Sequence, residues 1–471
     1  MTRPGHHARL EATGFPDSAP RWLQPVVFAA VLAYVCWFRV AGISSTFQLL
    51  ADQMRDWTIA LLPLSDQPLT GPPSLAGGRS LGPVYYWTLW LSRVTIGPFT
   101  GNLPHAGGIG LSLLQTAADA VLLAALWRRL GQGPLAVATI LLVATSPFDA
   151  ALSATIWNPV VSIAFTKITV ALVLLGDDGS SRLREGLTLG AAWLAVQAHL
   201  AALPVAVPVI AWTVLRHLRG GVPARAWRSA AGAAAIILVL QLPFLLHNLI
   251  YGTARGGGPT RAMGTLVALA EPGALVKLWE SAGTMGRFLT SILCEPWRPA
   301  WMPAVLAASL AVLAVYGPRT GWRWLAVTLG PFAVGLVVYA PLVDRSDYWY
   351  LMLAPSAAVA VAGAMSALAP GRRWRAAAGW LALAVMLAVQ PARFEYSRAI
   401  GRLPHYGALV KGSQRILASG VRPRAITAAF PLKTTDPAFV FTVLGGVLDP
   451  RSGTEAEILP GGGVLYRHGL R

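Results

Sequence analysis

Apolar runs long enough to cross a bilayer recur along most of this chain, and no other feature restricts its fold so tightly. A hydrocarbon core of about 30 Å takes roughly 20 apolar residues as a helix, and inside it every backbone amide must be bonded within the structure itself. The clear runs cover 23–43, 107–127, 133–152, 159–176, 186–199, 201–218, 229–250, 300–317, 322–341, 349–369 and 375–392. Each reads as a helical span. Composition agrees: 55% of the 471 residues are hydrophobic and 12% charged, about half the charged share of a soluble protein. A cleaved signal peptide does not account for the first run, Val26–Val40, because no small-residue cleavage site follows it and similar runs recur downstream.

A net charge of +18 suggests nucleic acid, but the arginines sit in short links between apolar runs and form no continuous basic face. No nucleic-acid partner is expected. The links Arg128-Arg129, Arg182/Arg184, Arg216/Arg219/Arg225/Arg228, Arg319/Arg323 and Arg372/Arg373/Arg375 are each separated from the next by two spans. By the positive-inside rule all five face the cytoplasm, as does the N-terminal segment 1–22 with Arg3, Arg9 and Arg21. That parity requires an even number of spans before Arg128. The aromatic stretch Leu81 to Pro98 therefore lies in the outer interface and does not cross.

The expected architecture is an all-α polytopic membrane protein, with about eleven transmembrane helices over residues 23–392, N-terminus in and C-terminus out. Three segments then face outside. They are 44–102 with its interfacial helices, the glycine-rich loop 251–299 holding Glu271, Lys277, Glu280 and Glu295, and the tail 393–471. In the tail, Arg424 to Phe430, Phe439 to Leu444 and Gly463 to Tyr466 read as strands between glycine and proline turns, giving a small α/β extracytoplasmic domain. Cys36 and Cys294 are too few for a disulfide framework, and neither has a partner at metal-ligand spacing.

Directly after the first span comes Ala51-Asp52-Gln53-Met54-Arg55-Asp56-Trp57, where helical spacing puts Asp52 and Asp56 on one face a turn apart. Gly71-Pro72-Pro73 and Gly82-Pro83-Val84-Tyr85-Tyr86-Trp87 follow. Further on stand Arg128-Arg129-Leu130-Gly131, Ser146-Pro147-Phe148, Trp157-Asn158-Pro159, Gln197-Ala198-His199 and Asp344-Arg345-Ser346-Asp347-Tyr348-Trp349-Tyr350. In this order and sidedness the set resembles the GT-C membrane glycosyltransferases, in the branch of the protein O-mannosyltransferases and lipid A aminoarabinose transferases. The resemblance covers residues 25–392. Two positions depart from the family pattern. Gln53 follows Asp52 where an acidic pair is commonest, and Gly82-Pro83-Val84 replaces His-Pro-Pro before the tyrosines.

The resemblance implies inverting transfer of a hexosyl or pentosyl group at the outer face of the cytoplasmic (inner) membrane. The donor would be a polyprenyl-phosphate sugar and the acceptor a lipid, glycan or protein, with membrane lipid around the site and neither cofactor nor catalytic metal. Such a reaction needs a carboxylate to take the acceptor's proton and cations to hold the departing phosphate. A carboxylate titrating near its usual value of about 4 is ionised at neutral pH and serves as base. Asp52 falls at the position of the family's catalytic aspartate. Arg55, Asp56, Tyr85, Tyr86, Asn158, His199, Arg345 and Asp347 are the implied substrate-binding residues, Arg345 through a bidentate grip on phosphate oxygens.

Plainer readings stand beside these. Asp56 pairs with Arg55, Arg345 pairs with Asp344 or Asp347, the two tyrosines anchor the interface, and His199 satisfies a helix end. Asp119 lies inside a span, where an ionised carboxylate costs on the order of 3 kcal/mol, so it is expected protonated or bonded to a neighbouring helix. Two other functions compete: a transporter or flippase of lipid-linked sugars, and a non-catalytic assembly subunit. A transporter would show repeated halves and broken helices meeting at mid-membrane, and no such repeat is visible in the sequence.

Overall fold

A computed structural model of the chain describes residues 22–73, 79, 81–131, 133–176, 181–219, 223–251, 273–320, 322–339, 347–369, 371–401, 405–432 and 435–468. The helices, in chain order, are α1 (Leu23–Val40), α2 (Ile43–Thr46), α3 (Ala51–Ala60), α4 (Val84–Thr100), α5 (His105–Leu130) and α6 (Gly133–Ala144). Next come α7 (Pro147–Ser153), α8 (Asn158–Leu175), α9 (Arg182–Ala198), α10 (Leu203–Arg219), α11 (Pro223–Tyr251) and α12 (Ala274–Cys294). The bundle closes with α13 (Met302–Thr320), α14 (Trp322–Val327), α15 (Leu329–Tyr339), α16 (Ala354–Leu368) and α17 (Arg372–Gly401).

All eleven expected spans coincide with helices. Among the described residues, eight helices are long and apolar enough to cross a membrane. A ninth forms if α6 and α7, bent by 60° at Thr145–Ser146, count as one broken span. The remaining two, α9 and the apolar part of α13, are shorter. The described part of the 251–299 segment is mostly the helix α12, whose Met285, Leu289, Ile292 and Leu293 bury one face at helical spacing.

The tail folds as α18 (Tyr406–Ala418), β1 (Ile426–Ala428), α19 (Pro437–Val443), β2 (Thr454–Ile458) and β3 (Val464–His468). Its sheet has the order β1-β2-β3, with β1 parallel and β3 antiparallel to β2. The expected strand over Phe439 to Leu444 is instead α19. Asp436 caps it, accepting from the Ala438 amide, and Pro437 occupies the first turn where its missing N–H costs nothing. The middle strand, β2, was absent from the sequence reading.

Four charged side chains are sealed inside the bundle where α1, α5, α7 and α8 meet. Arg39 Nη2 lies 2.7 Å from both Asp119 Oδ2 and Asp149 Oδ2. Lys167 Nζ lies 3.0 Å from Asp119 Oδ1, 3.2 Å from Asp149 Oδ2 and 2.8 Å from Gln115 Oε1. None of the four is more than 5% exposed. Two cations face two anions, which is what tolerates them in an apolar interior. The break between α6 and α7 is also satisfied: Ser146 donates to the Ile292 carbonyl at 2.6 Å, and Arg393 donates to the carbonyls of Leu142 (2.9 Å) and Leu293 (3.0 Å).

Four of the basic links gather at one end of the bundle. Arg129, Arg184 and Arg323 all donate to the last carbonyls of α8, at Leu174, Leu175 and Gly176. Unpaired carbonyls and the negative end of the helix dipole attract cations there. Arg216 joins them through Glu185 at 2.9 Å.

Removing one member of the buried quartet should cost far more than removing a pair. Asp149→Asn leaves two cations against one carboxylate and is expected to lose about 3–5 kcal/mol. Asp149→Leu combined with Lys167→Met should lose clearly less than the sum of the single changes. Unfolding in detergent checks both, and additive losses would mean that the quartet is not one coupled unit.

Candidate active site

The acidic helix α3 starts where Gln53 reaches back to accept the Leu50 amide at 2.9 Å, fixing the first turn. One turn separates its two carboxylates, and they meet opposite environments. Asp52 is 74% exposed, and its contact is Arg55 Nη1 at 3.0 Å. Asp56 is 3% exposed and fully engaged. It accepts from Tyr85 Oη at 2.9 Å, from Tyr86 Oη at 3.1 Å, and from Arg55 Nε and Nη2 at 2.9 and 2.8 Å. Arg55 thus spans both acids. Burial raises the Asp56 carboxyl above its usual range, while Arg55 and the two tyrosine hydroxyls pull it back. Burial and the Asp56 charge push the Tyr86 hydroxyl up, and Arg55 and Arg79 oppose that rise.

The tyrosines are therefore not interfacial anchors. Both rings are fully buried, and it is Trp87, the next residue, that turns outward. They reach Asp56 because the start of α4 is strapped to the bundle. Gln241 Nε2 donates to the Leu81 carbonyl at 2.5 Å, and a Cβ on Gly82 would lie 2.6 Å from the Gln197 side chain. Glycine at 82 is what lets this segment approach α9, which explains its place in the Gly-Pro-Val motif.

Asn158 and His199 both lie next to Ala198, the residue after Gln197. Asn158 Nδ2 donates to the Ala198 carbonyl at 2.9 Å. His199 Nδ1 accepts from the Ala201 amide at 3.1 Å, and its ring packs edge-on against Trp349 with centroids 5.2 Å apart. Tyr339 completes this corner by donating to the carbonyls of Ala201 (2.6 Å) and Trp349 (3.1 Å). Gln197, between the Gly82 turn and Ala198, joins the two groups of residues. Arg345 and the side chain of Asp347 lie outside the described residues.

Two contributors to the site carry no sequence signal. Arg79 is exposed, pairs its backbone with Pro73 and acts on Tyr86; a lone cation in a glycine- and serine-rich segment carries no pattern. Gln241, deep in an apolar run, gave no signal either. Asp119, expected protonated or bonded to a neighbouring helix, pairs with Arg39 of α1 and Lys167 of α8, each an isolated charge in apolar sequence.

No known family profile and no curated protein matches the sequence. Solved structures do. Crystal structures of ArnT from Cupriavidus metallidurans, in the apo state and bound to undecaprenyl phosphate, are similar to this chain at 14% identity, with TM-scores of 0.52 and 0.50. Each match covers 91% of this chain, and 85% and 86% of the respective ArnT chain. At that identity the likeness speaks for the fold. The chain is a multi-pass membrane protein with the GT-C fold.

Proposed function

We propose that this chain is an inverting membrane glycosyltransferase, moving a sugar from a polyprenyl-phosphate donor to an acceptor at the outer face of the cytoplasmic membrane. The observation that carries this reading is the asymmetry of the acidic helix: Asp52 projects into solvent while Asp56, one turn away, is locked by Tyr85, Tyr86 and Arg55. A general base must reach an incoming hydroxyl, and a positioning carboxylate must not move. The fold shared with ArnT, one of whose crystal structures holds undecaprenyl phosphate, supports a lipid phosphate as leaving group.

In this reading Asp52 takes the acceptor hydroxyl's proton as its oxygen attacks the anomeric carbon. The bond from that carbon to the phosphate oxygen breaks on the opposite side, and the polyprenyl phosphate leaves with the electron pair. Arg79 and Arg345 are the cations assigned to the phosphate, and Arg55 holds the two acids in register. Asn158 and His199 offer polar atoms to the sugar from the ends of α8 and α9. The transporter reading draws on one observation, the break between α6 and α7, but the charges there are spent on one another.

Asp52→Asn is expected to lower transfer by about 100- to 10,000-fold, because the amide keeps the shape and cannot accept the proton. The readout is the mass spectrum of membrane lipids and glycans from cells carrying the wild type or the variant, at matched protein level and thermal stability. Near wild-type product from Asp52→Asn, with none from Asp56→Asn, would move the base to Asp56. Full activity of both variants would remove the catalytic role of α3.

The sidedness is testable separately. In a chain lacking Cys36 and Cys294, a thiol engineered at the exposed Gly461 should react with an impermeant reagent from outside. A thiol at Gly220 should react only after permeabilisation. Labelling of both from the same side would refute the orientation.

A further inference from the structure

The segment that links α1 to the acidic helix, Ala41 to Leu50, is held along its length by residues that arrive some 350 positions later in the chain. Arg398 of α17 donates to the Ala41 carbonyl at 2.6 Å. A Cβ on Gly407, in the first turn of α18, would lie 3.1 Å from Ser45, so backbone meets backbone there. Tyr406 packs its ring edge-on against Phe47, centroids 5.4 Å apart, and both are fully buried. The Tyr406 hydroxyl bonds His105 Nδ1 at 3.2 Å, tying the same ring to the start of α5. Finally Thr435, buried just before α19, donates to the Leu49 carbonyl, two residues before α3 begins.

These contacts belong to one continuous apolar core. It runs from the tail's Ile426, Phe441 and Ile458 through Tyr406 and Phe47 to Trp57 and Tyr85. Leu444 at the end of α19 reaches Gly101 at the far end of α4, and Trp57 of α3 donates to the Asn102 carbonyl at 2.8 Å. The tail therefore touches the acidic helix's entrance on one side and the tyrosine helix's exit on the other.

We propose that the C-terminal domain is a positioning element of the active site, with Tyr406 and Thr435 as positioning residues that fix α3 and so the direction of Asp52. The inference rests on the transferase reading for its consequence, but not for its geometry. α3 is ten residues long, too short to hold itself in water, so its order must come from packing. α4 packs on the helix itself, and the tail packs the segment that leads into it, Ala41 to Leu49, from outside the helical bundle.

The test is amide hydrogen exchange on the full-length protein in detergent, comparing the wild type with Tyr406→Phe, Thr435→Val and the double variant. Exchange over residues 47–60 should rise about fivefold for Thr435→Val, which removes the bond to Leu49, and over the first turn of α5 for Tyr406→Phe, which removes the bond to His105, while α8 is unaffected. Titration with undecaprenyl phosphate should give unchanged affinity, and the transferred sugar should fall in cells. Unchanged exchange over 47–60 would overturn the proposal. So would an equal rise throughout the bundle, which would make the contacts general stabilisers, or local loosening with undiminished product. Thr435→Val keeps the side chain's shape and removes the bond to Leu49 alone, so it remains decisive if the double variant fails to fold. If the wild type itself transfers no sugar while the local rise is present, the transferase reading fails and the clamp stands.

Discussion

Arg39, Lys167, Asp119 and Asp149 lie where neither water nor lipid headgroups can solvate them, so each is tolerable only against the others. That requirement fixes four helices at once. A shift of α1 by one residue would carry Arg39 through about 100° and strand two carboxylates. The site inherits this constraint from both ends. Arg39 sits next to last in α1, whose exit leads to the acidic helix, and Lys167 sits midway along α8, whose first residue is Asn158. Holding the quartet together therefore holds the root of α3 and the start of α8 in one frame.

On that frame the acidic helix divides its labour by depth. Asp56 points inward to two hydroxyls and a guanidinium; four donor atoms around one carboxylate leave little freedom to its side chain. Asp52 points out, and its partner among the described residues is Arg55, itself partly exposed. Tyr85 and Tyr86 face Asp56 because Gly82 lets the chain lie directly on Gln197, and Gln241 holds the Leu81 carbonyl from a third helix. The short helix α3 is thus held by α4, whose start rests in turn on α9 and α11.

Much of this was legible in the sequence. Apolar run length marks the helices and the Asp52/Asp56 spacing puts two carboxylates a turn apart, because both are local properties of the chain, but their opposite exposure is not local. What stayed hidden depends on tertiary neighbours. Arg39, Asp149 and Lys167 each look like an exception within an apolar run, and only packing reveals that the exceptions coincide. Tyr85 and Tyr86 carry the composition of an interface belt, and nothing in their own segment says that a buried carboxylate awaits them. In the tail, Phe439-Val-Phe-Thr-Val-Leu has strand composition, but the Asp436-Pro437 cap decides for helix. β2 went unread because Glu455 and Glu457 hide its alternation; each is matched across the sheet edge by Arg424 and Arg467.

The distribution of unspent charge separates the two functional readings most sharply. A transporter keeps ionisable groups at mid-membrane free to exchange partners, and half-helix ends aimed at a cargo. Here the half-helix α7 is capped by Ser146, Asp149 is divided between Arg39 and Lys167, and the freed Leu142 carbonyl is taken by Arg393. Among the described residues these buried charges are spent on one another or on backbone carbonyls. At the entrance to α3 the opposite holds: Asp52 and Arg79 are exposed, beside a carboxylate that is pinned. An exposed carboxylate beside a fixed one fits the proposed chemistry on a substrate that arrives from outside the bundle. It gives the transferase reading a physical basis that likeness of fold alone would not supply.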